Sequence, residues 1–156
     1  SVGIKTIEQK CKDLKMPLQN FVHCAVGGFE AYDPQGKTFG AILLFGILQH
    51  LDPDQIKLLS ERLSLWTESG AYFLLSAFTT QDGGFEVARE KGEALSDYSF
   101  KSEENGIQTY VDGEHLKMHF PQFEALYVSE DWGEEHCHGD GPPERHHVLN
   151  AVLQRK

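Results

Sequence analysis

The sequence contains no run approaching the roughly 18 apolar residues a membrane helix needs, so no membrane partner is expected. Basic residues are also scarce. Fourteen Lys and Arg against 24 Asp and Glu leave a net charge of −10, and nucleic-acid binding requires clustered cations, so no nucleic-acid partner is expected either. Only three cysteines occur, Cys11, Cys24 and Cys137, too few and too irregularly spaced for a disulfide framework. All three read as thiols in a reducing compartment, which points to the cytoplasm. The opening "SVGIKTIEQK" lacks both an initiator Met and the apolar region of a signal peptide, so the chain reads as beginning part-way through something longer. Internal repeats and low-complexity tracts are absent as well. What is present suits one soluble globular domain spanning residues 1–156, with 40% hydrophobic and 24% charged residues.

The apolar positions Ile4, Ile7, Cys11 and Leu14 step by three and four, the spacing of an amphipathic helix that Pro17 ends. "NFVHCAV" reads as a short strand, with His23 and Cys24 inside it, and "GGFEAYDPQGK" as a surface loop. "TFGAILLFGIL" is nearly continuous in apolar residues, the pattern of a strand covered on both faces in a parallel sheet. "DPDQIKLLSERLSLW" supplies Asp52 as N-cap, Pro53 at the first helical position, and a stripe of Ile56, Leu59, Leu63 and Trp66. Gly70 is placed to cap that helix before a second buried strand, "AYFLLSAF". Strand, helix and strand in succession predict a right-handed crossover and a parallel pair.

Residues 79–113 lose periodicity and read as an excursion holding a short helix and one or two short strands. Within it "DGG" at Asp82–Gly84 reads as a turn, and Phe73, Phe78 and Phe85 as core and loop packing. Asp112 caps a brief helix in "DGEHLKMHF", where His115 and His119 share a face read as solvated. "FEALYVSEDW" and "HHVLNAVLQR" alternate well enough to form an antiparallel pair, and the stretch between them closes with Gly139, Gly141, Pro142 and Pro143.

That closing stretch, "HCHGDGPPERHH", raises the question of a metal. His136, His138 and His147, with Cys137 or Asp140, are chemically acceptable to zinc. The close ligand pairs of structural zinc sites are missing, however, and neighbouring His146 and His147 point to opposite faces of a strand. No metal is expected.

In order, "FGAILLFGILQHL", "ESGAYFLLSAF" and "GEEHCHGDGPPERHHVLNAVLQR" resemble the class I S-adenosylmethionine-dependent methyltransferases, in particular the tellurite-resistance methyltransferases of the TehB type. The resemblance spans residues 1–156. It implies an α/β, Rossmann-like sheet ending in an antiparallel hairpin, with the family's first two strands lying upstream of Ser1. Also upstream are its glycine-rich cofactor loop and the acidic residue that binds the ribose. The implied activity is methyl transfer from S-adenosylmethionine to a small acceptor, an oxyanion or soft nucleophile, governed by positioning and desolvation. Phe45 and Gly46 would lie beside the methionine and ribose portions, and Gln49 and His50 would face the acceptor. Ala25 stands where the family carries an acid for the adenine amino group, leaving the Val26 amide to contact the ring. By the same resemblance His136 orients or deprotonates the acceptor and Arg145 contacts an oxyanion, while Cys137 replaces a family arginine.

Two further readings stand beside methyl transfer. A truncated or degenerate domain without catalysis would act as a binding or oligomerising module through its exposed strand edges, and a metal-sequestering tail is the third.

Overall fold

A computed structural model describes residues 2–14, 27–137 and 141–156. They fall into two compact units, residues 1–33 and 34–156.

The first unit contains helix α1, Val2–Asp13, with Lys10 and Lys12 in its last turn, where cations complement the helix dipole. Cys11 is buried, whereas Leu14 lies just past the helix and is exposed, so the stripe predicted from the sequence is covered only in part. A 3-10 turn, Phe29–Ala31, follows. The predicted strand "NFVHCAV", with Ala25 and Val26, lies outside the described residues.

The second unit is built on a four-stranded sheet of order β1-β2-β7-β6. Strand β1 is Phe39–Phe45 and β2 is Thr67–Phe78. They run parallel, as the strand-helix-strand pattern predicts. Between them α2, Pro53–Trp66, starts in a full capping box: Asp52 accepts from the Gln55 amide, and the Gln55 side chain accepts from the Asp52 amide. Its predicted stripe of Ile56, Leu59, Leu63 and Trp66 is buried.

The helix ends differently from expectation. Thr67, in extended conformation, closes α2 and begins β2 at once, its hydroxyl donating to the Leu63 carbonyl at 2.7 Å. Gly70 is therefore no helix cap. It lies inside β2 at φ 86°, where the register to β1 shifts between the Phe39–Thr67 and Ala41–Tyr72 pairs. A left-handed residue at an irregularity in a strand is the usual reason for glycine there.

Strands β6, Phe123–Trp132, and β7, His147–Arg155, form the predicted antiparallel hairpin, and β7 also pairs antiparallel with β2. On one face Phe73, Leu75 and Ala77 of β2 stand opposite Leu153, Ala151 and Leu149 of β7, all buried. The excursion contains α3, Gly83–Lys91, and a separate antiparallel sheet of β3, Glu93–Ser96, β4, Ser99–Ser102, and β5, Gly106–Thr109. Phe85, Ala88, Phe100 and Tyr110 form its own small core, with Phe78 packed against it. Helix α4, Gly113–His119, carries the predicted Asp112 cap and contributes Leu116 to the main core.

Strand β1 departs from its prediction. Its apolar run was read as covered on both faces, yet among the described residues it pairs with β2 alone and much of its surface is open. Leu43 is 61% exposed and Phe45 57%.

Candidate functional site

At the carboxyl end of the parallel pair the chain must leave the sheet sharply, and Gly46 does this at φ 64°, a conformation that side chains disfavour. Its amide is held at the β2 end, 3.4 Å from the Ser76 carbonyl and 3.3 Å from the Ser76 hydroxyl. A 3-10 turn, Leu48–His50, then carries Gln49 and His50 onto a cavity of about 220 Å3 whose other walls are Phe78 and residues 107–110 of the excursion. Gln49 Oε1 is buried without a hydrogen-bond partner among the described residues. Such an acceptor is costly unless a ligand donor reaches it.

The excursion fixes the far wall. Thr109 is fully buried, its hydroxyl donating to the Leu51 carbonyl at 2.7 Å and meeting the Ser99 hydroxyl at 2.6 Å. Burial, and secondarily the nearby Asp82 carboxylate, push the Tyr110 phenol up to about 12, so it stays protonated at neutral pH.

Phe78 joins this cavity to the mouth of the terminal hairpin, because its ring stacks on His146 at 4.2 Å. Behind His146 lies Asp82, whose side chain is 3% exposed. It caps α3 through the Gly84 amide at 2.8 Å, accepts from the His147 amide at 2.9 Å, and meets His146 Nδ1 at 3.0 Å. His147 Nδ1 in turn lies 2.6 Å from the Thr79 hydroxyl, deep in the fold. His147 thus pins β7 to the end of β2 and does not join His136.

Beyond β6 and β7 the hairpin continues through reciprocal amide-carbonyl bonds between His136 and Glu144, at 3.0 and 2.8 Å. A pair bonded this way presents its side chains on one face, and His146, two residues on, shares that face with Glu144. One ligand-type atom from each of His136, Glu144 and His146 lies within 4.8 Å of the others. Arg145 alternates away from them, its Nε donating to the Gly133 carbonyl at 2.9 Å.

Of the residues named by the resemblance, Gln49 and His50 line the cavity, Phe45 and Gly46 leave β1 just before them, and His136 and Arg145 stand on the hairpin beyond the same end of the sheet. Ala25, Val26, His138 and Asp140 lie outside the described residues. The sequence reading missed Glu144, His146 and Asp82. Spacing two apart in "ERHH" was the available signal for the first two. The "DGG" of Asp82 is the start of α3, with Gly83 and Gly84 inside the helix. His115 and His119 are also corrected in part, because both are half-buried against Tyr98: ring centroids lie 4.2 and 5.6 Å away, and the Tyr98 hydroxyl meets His119 Nε2 at 2.8 Å.

The mixed sheet, a parallel pair completed by an antiparallel terminal hairpin, is the Rossmann-like arrangement found in solved S-adenosylmethionine-dependent methyltransferases. Among solved structures the chain is similar to TehB from Haemophilus influenzae, with TM-score 0.65 and 13% identity over 98% of this chain and 46% of that one. A S-adenosylmethionine-dependent methyltransferase from Methanosarcina mazei gives TM-score 0.62 and 16% identity, over 84% and 66% of the two chains. The N-methyltransferase NodS from Bradyrhizobium japonicum, solved with S-adenosylhomocysteine, gives TM-score 0.56 and 11% identity, over 96% and 61%. The chain thus spans about half to two thirds of these structures. No family model matches it, and no curated protein does. Among the described residues no helix is long and apolar enough to cross a membrane.

Proposed function

We propose that the chain belongs to a cytoplasmic methyltransferase that moves the methyl group of S-adenosylmethionine to a small acceptor. The observation that carries this reading is the cavity at the carboxyl end of β1 and β2, lined by Gln49 and His50, with Gln49 Oε1 buried and without a hydrogen-bond partner among the described residues. Open α/β sheets take their ligands at that end. Phe45 and Gly46 would flank the donor. The free thiols of Cys11 and Cys137 suit a reducing compartment.

The step is an in-line displacement. The acceptor's lone pair forms the new bond to the methyl carbon, the carbon–sulfur pair returns to sulfur as a neutral thioether, and any acceptor proton passes to a base. His136 Nδ1 lies 3.1 Å from the Glu134 carbonyl, which can only accept, so whenever the ring is neutral its lone pair is on Nε2, the form a base requires. Arg145 would hold an oxyanion. Titrating the chain with S-adenosylhomocysteine by calorimetry tests the reading: binding with a Kd below about 1 mM that weakens on Gly46→Val supports it, and no heat at millimolar ligand overturns it.

The exposed apolar β1 favours a second reading, a methyltransferase-like domain without catalysis that binds a partner or a second copy. Upstream sequence separates the two. A glycine-rich loop after a first strand and an acid ending a second favour the enzyme.

A further inference from the structure

We infer that the mouth of the terminal hairpin is a divalent transition-metal site, zinc foremost, with His136, Glu144 and His146 as its ligands. The three come from two chain segments held in register by the His136–Glu144 backbone pair, so the cluster is set by the fold and is not an accident of one flexible stretch. His146 Nε2 lies 3.9 Å from Glu144 Oε2, and the three ligand atoms lie within 4.8 Å of one another. Tetrahedral zinc with bonds of about 2.1 Å holds its ligands about 3.4 Å apart. Rotations of the exposed His136 and half-buried Glu144 side chains would close the difference.

The second observation is behind the ligands. Each ring is oriented from its other nitrogen: His146 Nδ1 by the buried Asp82 carboxylate at 3.0 Å, and His136 Nδ1 by the Glu134 carbonyl at 3.1 Å. In the neutral form of each ring the lone pair therefore sits on Nε2. A carboxylate or carbonyl behind each imidazole is the arrangement that fixes the tautomer and raises the basicity of metal-bound histidines. Asp82 is itself locked by the Gly84 and His147 amides, and Phe78 stacks on His146, so His146 is held before any ion arrives. Two imidazoles and one carboxylate suit zinc and other first-row divalent ions, with the fourth position taken by water.

The inference does not rest on methyl transfer. An ion would occupy the same Nε2 that His136 offers as a base, so loading and base use of His136 are alternatives.

The test uses the full chain, prepared without a polyhistidine tag or nickel column, stripped with chelator and titrated with zinc chloride by calorimetry. We expect one ion per chain. His136→Ala, at an exposed position, together with Glu144→Gln and His146→Ala, should each weaken binding at least about tenfold, and Asp82→Asn by about 10–100-fold. Cys137→Ser should leave affinity unchanged. Circular dichroism should show that His136→Ala is folded, and Co2+ loading should give visible absorption bands that this variant changes. Failure of folded His136→Ala to weaken zinc, loss of binding in Cys137→Ser, or no stoichiometric binding at all would each overturn the site. S-adenosylhomocysteine binding is measured separately, so either proposal can fail while the other stands.

Discussion

Strands β1 and β6 are the two edges of one sheet, and they are built differently. Strand β6 carries Glu124, Glu130 and Asp131, charges that discourage a further strand from adding to it. Strand β1, FGAILLF, has no charge at all, and Leu43 and Phe45 are exposed. Its composition matches the buried β2 beside it more than the opposite edge. A run of this kind belongs in the interior of a sheet. Among the described residues the β6 edge carries the charges of a sheet end, while the β1 edge has the composition of an interior strand.

The largest effect should come from testing that contrast in the core. Phe73 of β2 is fully buried, with its ring 5.2 Å from Phe120 and 5.7 Å from Phe123. Phe73→Ala is expected to cost about 3–5 kcal/mol in urea unfolding, as large-to-small core changes do. Leu43→Ala on β1 should cost less than about 1 kcal/mol if that face is as open as it stands. A cost for Leu43→Ala near that of a core leucine would show the strand covered in solution and would break the comparison.

Next in size is Asp82, which ties the closed side together by capping α3 and holding the first amide of β7. Removing a buried acceptor strands several donors, so Asp82→Ala should destabilise by about 2–4 kcal/mol in the same assay. Asp52→Ala, at a cap with fewer partners, should cost about 1 kcal/mol. Equal costs would mean that the His147 and His146 contacts of Asp82 contribute nothing.

The open edge predicts association as well as weakness. The chain should self-associate in sedimentation velocity at tens of micromolar, and Leu43→Lys should shift it toward monomer, since charge on an edge strand opposes pairing. Tyr127→Lys on β6 should leave the distribution unchanged. A clean monomer for the unmodified chain would mean that β1 is satisfied within its own molecule.

Much of this contrast was legible in the sequence, because it follows from periodicity. The α2 stripe, its Asp52 cap, the parallel pair and the terminal hairpin all follow from local spacing. The exposure of β1 was not legible, since an apolar run reports what a strand is suited to and not what lies beside it. The end of α2 was misread for a related reason: glycine signals a left-handed residue, and Gly70 has one, but within a strand irregularity. The candidate site was legible by halves. Gly46, Gln49 and His50 came through the family resemblance, whereas Glu144 and His146 required pairing with His136 across the hairpin, and Asp82 required a contact 64 residues away in sequence.

The smallest expected effect concerns charge on the closed side. On α4, His119 is half-buried against Tyr98, and desolvation first, then neighbouring His115, lowers its pKa below the ordinary 6.5. The unfolded chain then binds more protons than the folded one in the window beginning near pH 6.5 and extending down through the folded pKa. Stability should therefore be full above that window and fall as pH drops through it. His119→Gln removes the titrating ring, so the slope of unfolding free energy against pH should flatten across that window. Strand β1 contains no titratable side chain, and Leu43→Ala should leave the slope as it is. An unchanged slope in His119→Gln would place the pH sensitivity elsewhere, and a changed slope in Leu43→Ala would show that the open edge carries a charged neighbour after all.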